Sequence, residues 1–488
     1  MNRPRAHSSS QRSHWLCVAY AFPPINRSGT HRTLAFVKHL DRLGWDATVL
    51  TVEPQDEPLD MSLLREVPAS TRVVRTPWVD VIEGIKTVWH VRGADHTATR
   101  AAGFSPRGDG EVGRAAGFSP RGCAETTRTT IPKDLREWIS RLLITPDSRL
   151  GWIAPAVRSG LRAIRRRRPD VLYSTSPYMS AHLIALILSR AARLPWVADF
   201  RDPWRGNPFR EFGFSSLERW DACLEWIVLQ SATHVIGNTP TMMEQLSRRH
   251  PFVANKCTTI LNGFDHAGSK DLTPTRVAPA GDFVLTHCGQ FYGRRSPKVW
   301  FDALRHALDQ SPELAGKTHI VLIGTESSDG RPLRDWAVDA GVDGCARVLG
   351  QKSHAETLSY MAGSDALMLA ASSGAGGELQ IPNKLFEYLA IRKPIIAACS
   401  ANSPIVAILE KARAEAIICD PNDERALADA IARLATHRRI HVEDAWCGVD
   451  QFERTHRAAE LMDVFRRVSR SLHANDKSQC NATLCCGI

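Results

Sequence analysis

The chain has 488 residues, of which 43% are hydrophobic and 23% charged, and a net charge of +10. This is the composition of an ordinary globular protein long enough for two domains. No apolar run reaches the ~18 residues that a membrane span needs, and the 12 Cys include no CxxC pair and no Cys/His cluster with zinc spacing, so no metal site is expected.

The N-terminal stretch "MNRPRAHSSSQRSHW" is basic and lacks the apolar segment of a secretory signal, so residues 1–12 read as a disordered tail. From there short apolar runs alternate with helical patterns: "HWLCVAYAF", "DATVLTVE", "RVVRTP", "VLYSTS", "WVADF", "HVIGN" and "CTTILNG". Several are continuously apolar and bounded by Gly, Asp or Pro, which suits parallel strands buried on both faces. They assign residues 13–262 to a first βα-repeating domain. Within it, "RAAGFSPRG" occurs at Arg100 and again at Arg114, and the repeat places a disordered duplicated insertion over 90–131. The run "RAIRRRRPD", Arg162 to Asp170, is either the solvated end of a helix or a contact for anionic lipid head groups.

A linker over 263–281 leads to a second set of runs, "DFVLTHCG", "THIVLIG", "ARVLG", "ALMLA", "PIIAAC" and "AIIC", which define a second βα-repeating domain over 282–440. Ser353 and Glu356 form a capping box that starts one of its helices. The pattern "VEDAWCGVDQFERTHRAAELMDVFRRVSRSL" then predicts, over 441–472, a helix that packs back on the first domain, and residues 473–488 read as a disordered tail rich in Cys.

In a parallel α/β sheet ligands bind outside the carboxyl ends of the strands. The run "ALMLA" leads into the loop "ASSGAGGELQ" and then into "IPNKLFEYLA", where Asn383, Lys384 and Glu387 share one helix face at i, i+3 and i+4 spacing. A Gly-rich loop and a helix N-terminus favour an anion such as a phosphate. One reading is a diphosphate held by amides and Lys384, with Glu387 accepting from sugar or ribose hydroxyls; the other is an amphipathic helix with an internal Lys–Glu pair. Similar strand–Gly loop–helix junctions occur at Gly29 with Arg32, and at Gly289 with Arg294 and Arg295. The positive charge permits nucleic acid as a partner, but no recognition motif supports it.

The ordered blocks "FPP…G…R", "PDVLYSTSP…AHLIAL", "PWVADFRDPW", "ILNGFD", "HCGQFYGRR", "VLGQKSHAE", "SDALMLA" and "IPNKLFEYLAIRKPII" resemble family 4 glycosyltransferases of the GT-B fold, in the group with a subfamily-4-like N-terminal domain. The resemblance covers about Trp15 to Arg467 apart from the insertion. It implies two Rossmann-like domains facing a cleft, with a nucleotide-sugar donor bound by the C-terminal domain and a glycan or lipid-linked acceptor by the N-terminal one. It also implies retention of anomeric configuration and catalysis without a metal or a cofactor, the nucleotide-sugar being a substrate. The family's E-x7-E pair is matched at its second member by Glu387, whereas Glu378 is displaced by one residue from the first. Either Glu378 serves through loop plasticity, or the amides of Gly376 and Gly377 replace it.

By the same resemblance, Arg294 and Arg295 match a basic pair near the diphosphate, Gly29 a glycine loop bordering it, and Ser353 and His354 the contacts to the base. On the acceptor side the candidates are Arg32, Arg201 and Asp202, with Asp202 and His182 also candidates for catalysis. The expected protein is a cytoplasmic, peripherally membrane-bound transferase of surface polysaccharide or lipid-linked glycan synthesis, using a UDP-sugar. The alternatives are a GT-B nucleotide-sugar epimerase or phosphorylase and a non-catalytic nucleotide-sugar binder.

Overall fold

The structure, a computed structural model, describes residues 12–80 (apart from 56), 133–207, 213–265, 272–291, 295–324, 326–371 and 379–485. The insertion and the N-terminal tail read from the sequence lie wholly or almost wholly outside these.

The first domain is a seven-stranded parallel sheet in the order β3-β2-β1-β4-β5-β6-β7. Its strands are β1 Ser13–Ala19, β2 Trp45–Val52, β3 Arg72–Thr76, β4 Val171–Thr175, β5 Trp196–Phe200, β6 His234–Gly237 and β7 Cys257–Thr259. The second domain is six-stranded, β12-β9-β8-β13-β14-β15. Its strands are β8 Phe283–Gly289, β9 Thr318–Gly324, β12 Ala346–Gly350, β13 Ala366–Ala370, β14 Ile395–Ala398 and β15 Ala416–Cys419, with a small hairpin, β10 Ser327–Ser328 and β11 Arg331–Pro332, between β9 and β12.

The apolar runs are strands because both faces of each sheet are covered. Along β1, Leu16 and Val18 join one core with Trp152, Ile184 and Trp196, while Trp15 and Cys17 join another with Phe36, Tyr173 and Phe465. Each large side chain so buried contributes ~1.5–3 kcal/mol.

The last helix, Arg454–Cys485, crosses back to the first domain, where Phe465 packs 5.4 Å from both Trp15 and Trp45. The structure corrects its start and its end. Residues 442–453 carry a helical pattern, yet Asp444 and Trp446 take left-handed φ of 49° and 68°. Trp446 and Phe452 are both drawn into the core of the second domain, and that burial outweighs the local pattern. At the other end the backbone stays helical to Cys485, in a stretch with no Gly or Pro to stop it, where the sequence suggested a disordered tail from residue 473. No helix of the described residues is long and apolar enough to cross a membrane.

Candidate active site

In each sheet the strand order reverses between its first and fourth strands, β1/β4 and β8/β13, and such switch points are where the crevice for a ligand opens. In the second domain β13 pairs with β8 only at Ala366–Leu285 and Leu367–Thr286. Beyond that the strands splay, and two side chains bridge them. The Tyr388 hydroxyl donates to Met368 O at 3.1 Å and accepts from Cys288 N at 3.1 Å, while His287 Nδ1 lies 3.0 Å from the same carbonyl. Because a carbonyl only accepts, His287 carries its proton on Nδ1, and Nε2 presents a lone pair.

Lys384 Nζ, at the start of helix Lys384–Ile391, donates to that Nε2 at 3.0 Å. Gly289 ends β8 at φ +120°, and a Cβ there would lie 2.8 Å from Lys384 Nζ. The position therefore needs glycine both for its backbone and for the lysine's room. Burial pulls Lys384 down to about 7, with the Arg295 charge pulling the same way. Burial and the Lys384 charge hold His287 neutral. No Lys384–Glu387 ion pair forms among the described residues, so the internal-pair reading of this helix is not realised. Two cations instead converge on one place, which is the field an anion seeks.

An anion at Lys384 raises a pKa that starts near 7, so binding at pH 8 takes up a proton and affinity falls as pH rises from 7 to 9. Calorimetry of nucleoside diphosphate binding at pH 8, in buffers of different ionisation enthalpy, should show uptake approaching one proton, lost in Lys384→Met.

One turn further along the same helix, Glu387 Oε1 accepts from His354 Nε2 at 3.1 Å, while Oε2 takes no protein donor among the described residues. Burial pushes Glu387 up, but the His354 hydrogen bond and charge outweigh it and hold the carboxylate low; the same partnership raises His354 against its burial. Each partner thus favours the charged form of the other. His354 faces His31 of the first domain, ring to ring at 5.4 Å. Burial, with the Arg454 and His354 charges, lowers His31 to about 4, so it is neutral. These three residues wall a cavity of about 270 Å³ floored by Leu34, Phe264 and Leu358.

The first domain contributes the turn after β1. A Cβ on Gly29 would sit 2.7 Å from Arg201 Nη1 and 3.7 Å from Pro177 Cδ, so the loops after β1, β4 and β5 meet there. The neighbouring Asp202 accepts from Gln380 Nε2 of the second domain at 3.3 Å, and Thr239 Oγ1 donates to Leu379 O at 3.0 Å. Burial raises Asp202, partly offset by the charges of Arg201 and Arg295, one from each domain.

Three candidates from the sequence are placed elsewhere by the structure. Arg32 has no donor left for an acceptor. Its Nε and Nη2 clamp Asp199 at 3.1 and 2.9 Å, and its remaining hydrogens go to Ile260 O, Leu261 O and Asn262 Oδ1. His182 is wholly buried and stacked 4.5 Å from Phe200; Nδ1 is taken by Ser174 and burial lowers it to about 3, so no substrate reaches it. Ser353 spends its hydroxyl and N–H on Glu356, in the capping box, and its carbonyl on Thr357.

The basic run also lies away from the cleft. Arg167 binds Asp46 at the start of β2 and Arg168 the Arg193 carbonyl, at the amino ends of the strands. Asn383 flanks the helix start, half-buried. Gly376, Gly377, Glu378 and Arg294 lie outside the described residues. His287, which the sequence reading passed over, had one signal: a histidine two residues before the glycine that ends an apolar strand.

Two doubly wound parallel-sheet domains that face one another across a cationic cleft define the GT-B class of protein. Residues 97–263 match the family model described as a glycosyl transferase 4-like domain, and residues 283–437 that of glycosyl transferases group 1. The chain belongs to the family 4-like glycosyltransferases. It is 22% identical over 258 residues to a D-inositol 3-phosphate glycosyltransferase of Nocardioides sp., a match covering 49% of this chain and 55% of the relative, so it spans about half of that protein's length. Among solved structures it resembles a glycosyltransferase from Rickettsia africae, with a TM-score of 0.57, 12% identity and coverage of 94% of this chain and 98% of the other. It also resembles Anabaena HepE in complex with UDP-glucose, with a TM-score of 0.54, 14% identity and coverage of 94% and 99%. At these identities the structural likenesses establish the fold.

Proposed function

We propose that this protein is a retaining glycosyltransferase that moves a sugar from a nucleotide-sugar to a glycan or lipid-linked acceptor in cell-surface polysaccharide synthesis, on the cytoplasmic side of the membrane. The observation that carries this reading is the meeting of Lys384, Arg295 and Glu387 at one switch point with Gly29, Arg201 and Asp202 at the other.

In this reading the diphosphate lies against Lys384 and Arg295, whose charges neutralise the leaving group as the glycosidic bond breaks. Glu387 Oε2 accepts from the ribose hydroxyls, and the nucleoside enters the cavity behind His354 and His31. Asp202 orients the acceptor hydroxyl, whose proton passes to a phosphate oxygen of the leaving nucleotide. The protein's contribution is then positioning and fixed charge. A UDP-sugar is the favoured donor because the similar Anabaena protein is seen with UDP-glucose.

The test is incubation of the purified chain with a panel of UDP-, GDP- and ADP-sugars, with and without bacterial lipid extract, following free nucleotide. Release from one donor, stimulated by the extract, is the expected result. Nucleotide binding without release favours a non-catalytic binder, and a changed sugar still joined to its nucleotide favours an epimerase.

A further inference from the structure

Two arginines of the first domain are buried to nearly the same degree, Arg32 at 5% and Arg201 at 8% exposure, and their surroundings are opposite. Arg32 meets a carboxylate bidentately and spends every donor on protein oxygens. Arg201 forms no ion pair among the described residues. Among the described residues its Nε has no hydrogen-bond partner, and its side chain makes one long hydrogen bond, from Nη1 to Ser176 O at 3.5 Å. The nearby carboxylate of Asp199 is already filled by Arg32, Tyr173 and Thr175. Asp202 and Asp199 attract this guanidinium, but neither closes an ion pair with it among the described residues, and buried donors left unpaired are costly, so the fork is kept for oxygens that the described chain does not itself supply.

The position says what that is. Arg201 Nη1 lies over Gly29, close enough that a Cβ would reach it at 2.7 Å, and Gly29 is in the first turn of helix Ser28–Arg42, the end of a helix that favours an anion. The next residue, Asp202, meets Gln380 of the second domain, four residues before Lys384. Asp202 is acted on by Arg201 of its own domain and by Arg295 of the second, and Lys384 in turn feels the Arg295 charge, so cations of both domains approach the cleft around this carboxylate.

We propose that Arg201 is the first domain's ligand for a phosphoryl group held between the two domains, opposite Lys384 and Arg295. This rests on the transferase reading above. The group is the diphosphate of the donor or a phosphate carried by the acceptor; both present the same oxygens to a guanidinium fork. Arg201 is thereby moved from acceptor recognition in general to one kind of contact, and the phosphoryl group becomes what joins the domains.

The experiment titrates the full chain, as wild type, Arg201→Gln and Arg201→Lys, with UDP, GDP, ADP and their nucleosides, and separately with inositol 3-phosphate and inositol. For the nucleoside diphosphate that the wild type binds, Arg201→Gln is expected to weaken affinity about 10- to 100-fold, with the nucleoside changed less than about twofold and Arg201→Lys intermediate. A loss confined to inositol 3-phosphate also supports the proposal and assigns the group to the acceptor.

If Arg201→Gln fails to fold, Gly29→Ala, which displaces the guanidinium without removing its charge, carries the same expectations. Unchanged affinity for both kinds of phosphate in a folded variant overturns the proposal. If Lys384→Ala still abolishes nucleotide binding in that case, the transferase reading stands without it. A wild-type chain that binds none of these phosphates overturns both.

Discussion

Glu387→Ala is expected to lower kcat/KM for sugar transfer about 10²- to 10³-fold. The variant removes the carboxylate that joins the second domain's ligand face to His354, and with it the free Oε2. It also removes the charge that raises the His354 pKa against its burial, so that pKa should fall. Glu387→Gln separates the two effects. It preserves an acceptor for a hydroxyl but no charge for His354, so it should recover part of the lost activity and leave the His354 pKa lowered. Nucleotide release by the donor found in the panel assay, together with the His354 titration followed by NMR, checks both parts. Full activity in Glu387→Ala would remove this residue from the site.

Arg32→Ala is expected to destabilise the first domain by about 3–5 kcal/mol, the cost of leaving a buried carboxylate without its partner. Burial pushes the Asp199 carboxyl up, while the Arg32 charge and the hydrogen bonds of Arg32, Tyr173 and Thr175 hold it below the usual range. Without Arg32 only the two hydroxyls remain, and the backbone at Ile260 and Leu261 loses its anchor. Urea unfolding should show the midpoint fall, and Arg32→Ala with Asp199→Asn should lie closer to wild type than the sum of the two single changes. An acceptor-binding Arg32 would instead change KM at unchanged stability.

The architecture could be read from the chain because its signals are local. An apolar run bounded by Asp or Pro states its own burial, as "ALMLA" after Asp365 and "IIAAC" after Pro394 do. Ser353 and Glu356 are three residues apart, so their capping box was visible in the sequence and is present in the fold. The shared face of Lys384 and Glu387 was legible for the same reason. Their partners were not: His287 lies 97 residues from Lys384 and His354 lies 33 from Glu387, and only the sheet topology brings them together. Arg32 and Arg201 show the limit most directly. Each is an arginine beside a strand end, and which of them is saturated depends on where Asp199 points. The stretch 442–453 failed for a related reason, because its helical spacing was overruled by cores that claimed Trp446 and Phe452.

The seat of Leu379 bears on the tempo of the enzyme. Its side chain, 3% exposed, sits among Phe200, Pro203, Trp204, Met242 and Leu246 of the opposite domain, and Thr239 holds its carbonyl. Drawing the halves apart returns that leucine to water at ~1.5–3 kcal/mol, which slows parting by roughly 10- to 100-fold relative to a smooth contact. Only a few residues of chain lie between this plug and Lys384, so an apolar contact between the domains tethers the segment that carries the proposed phosphate ligand.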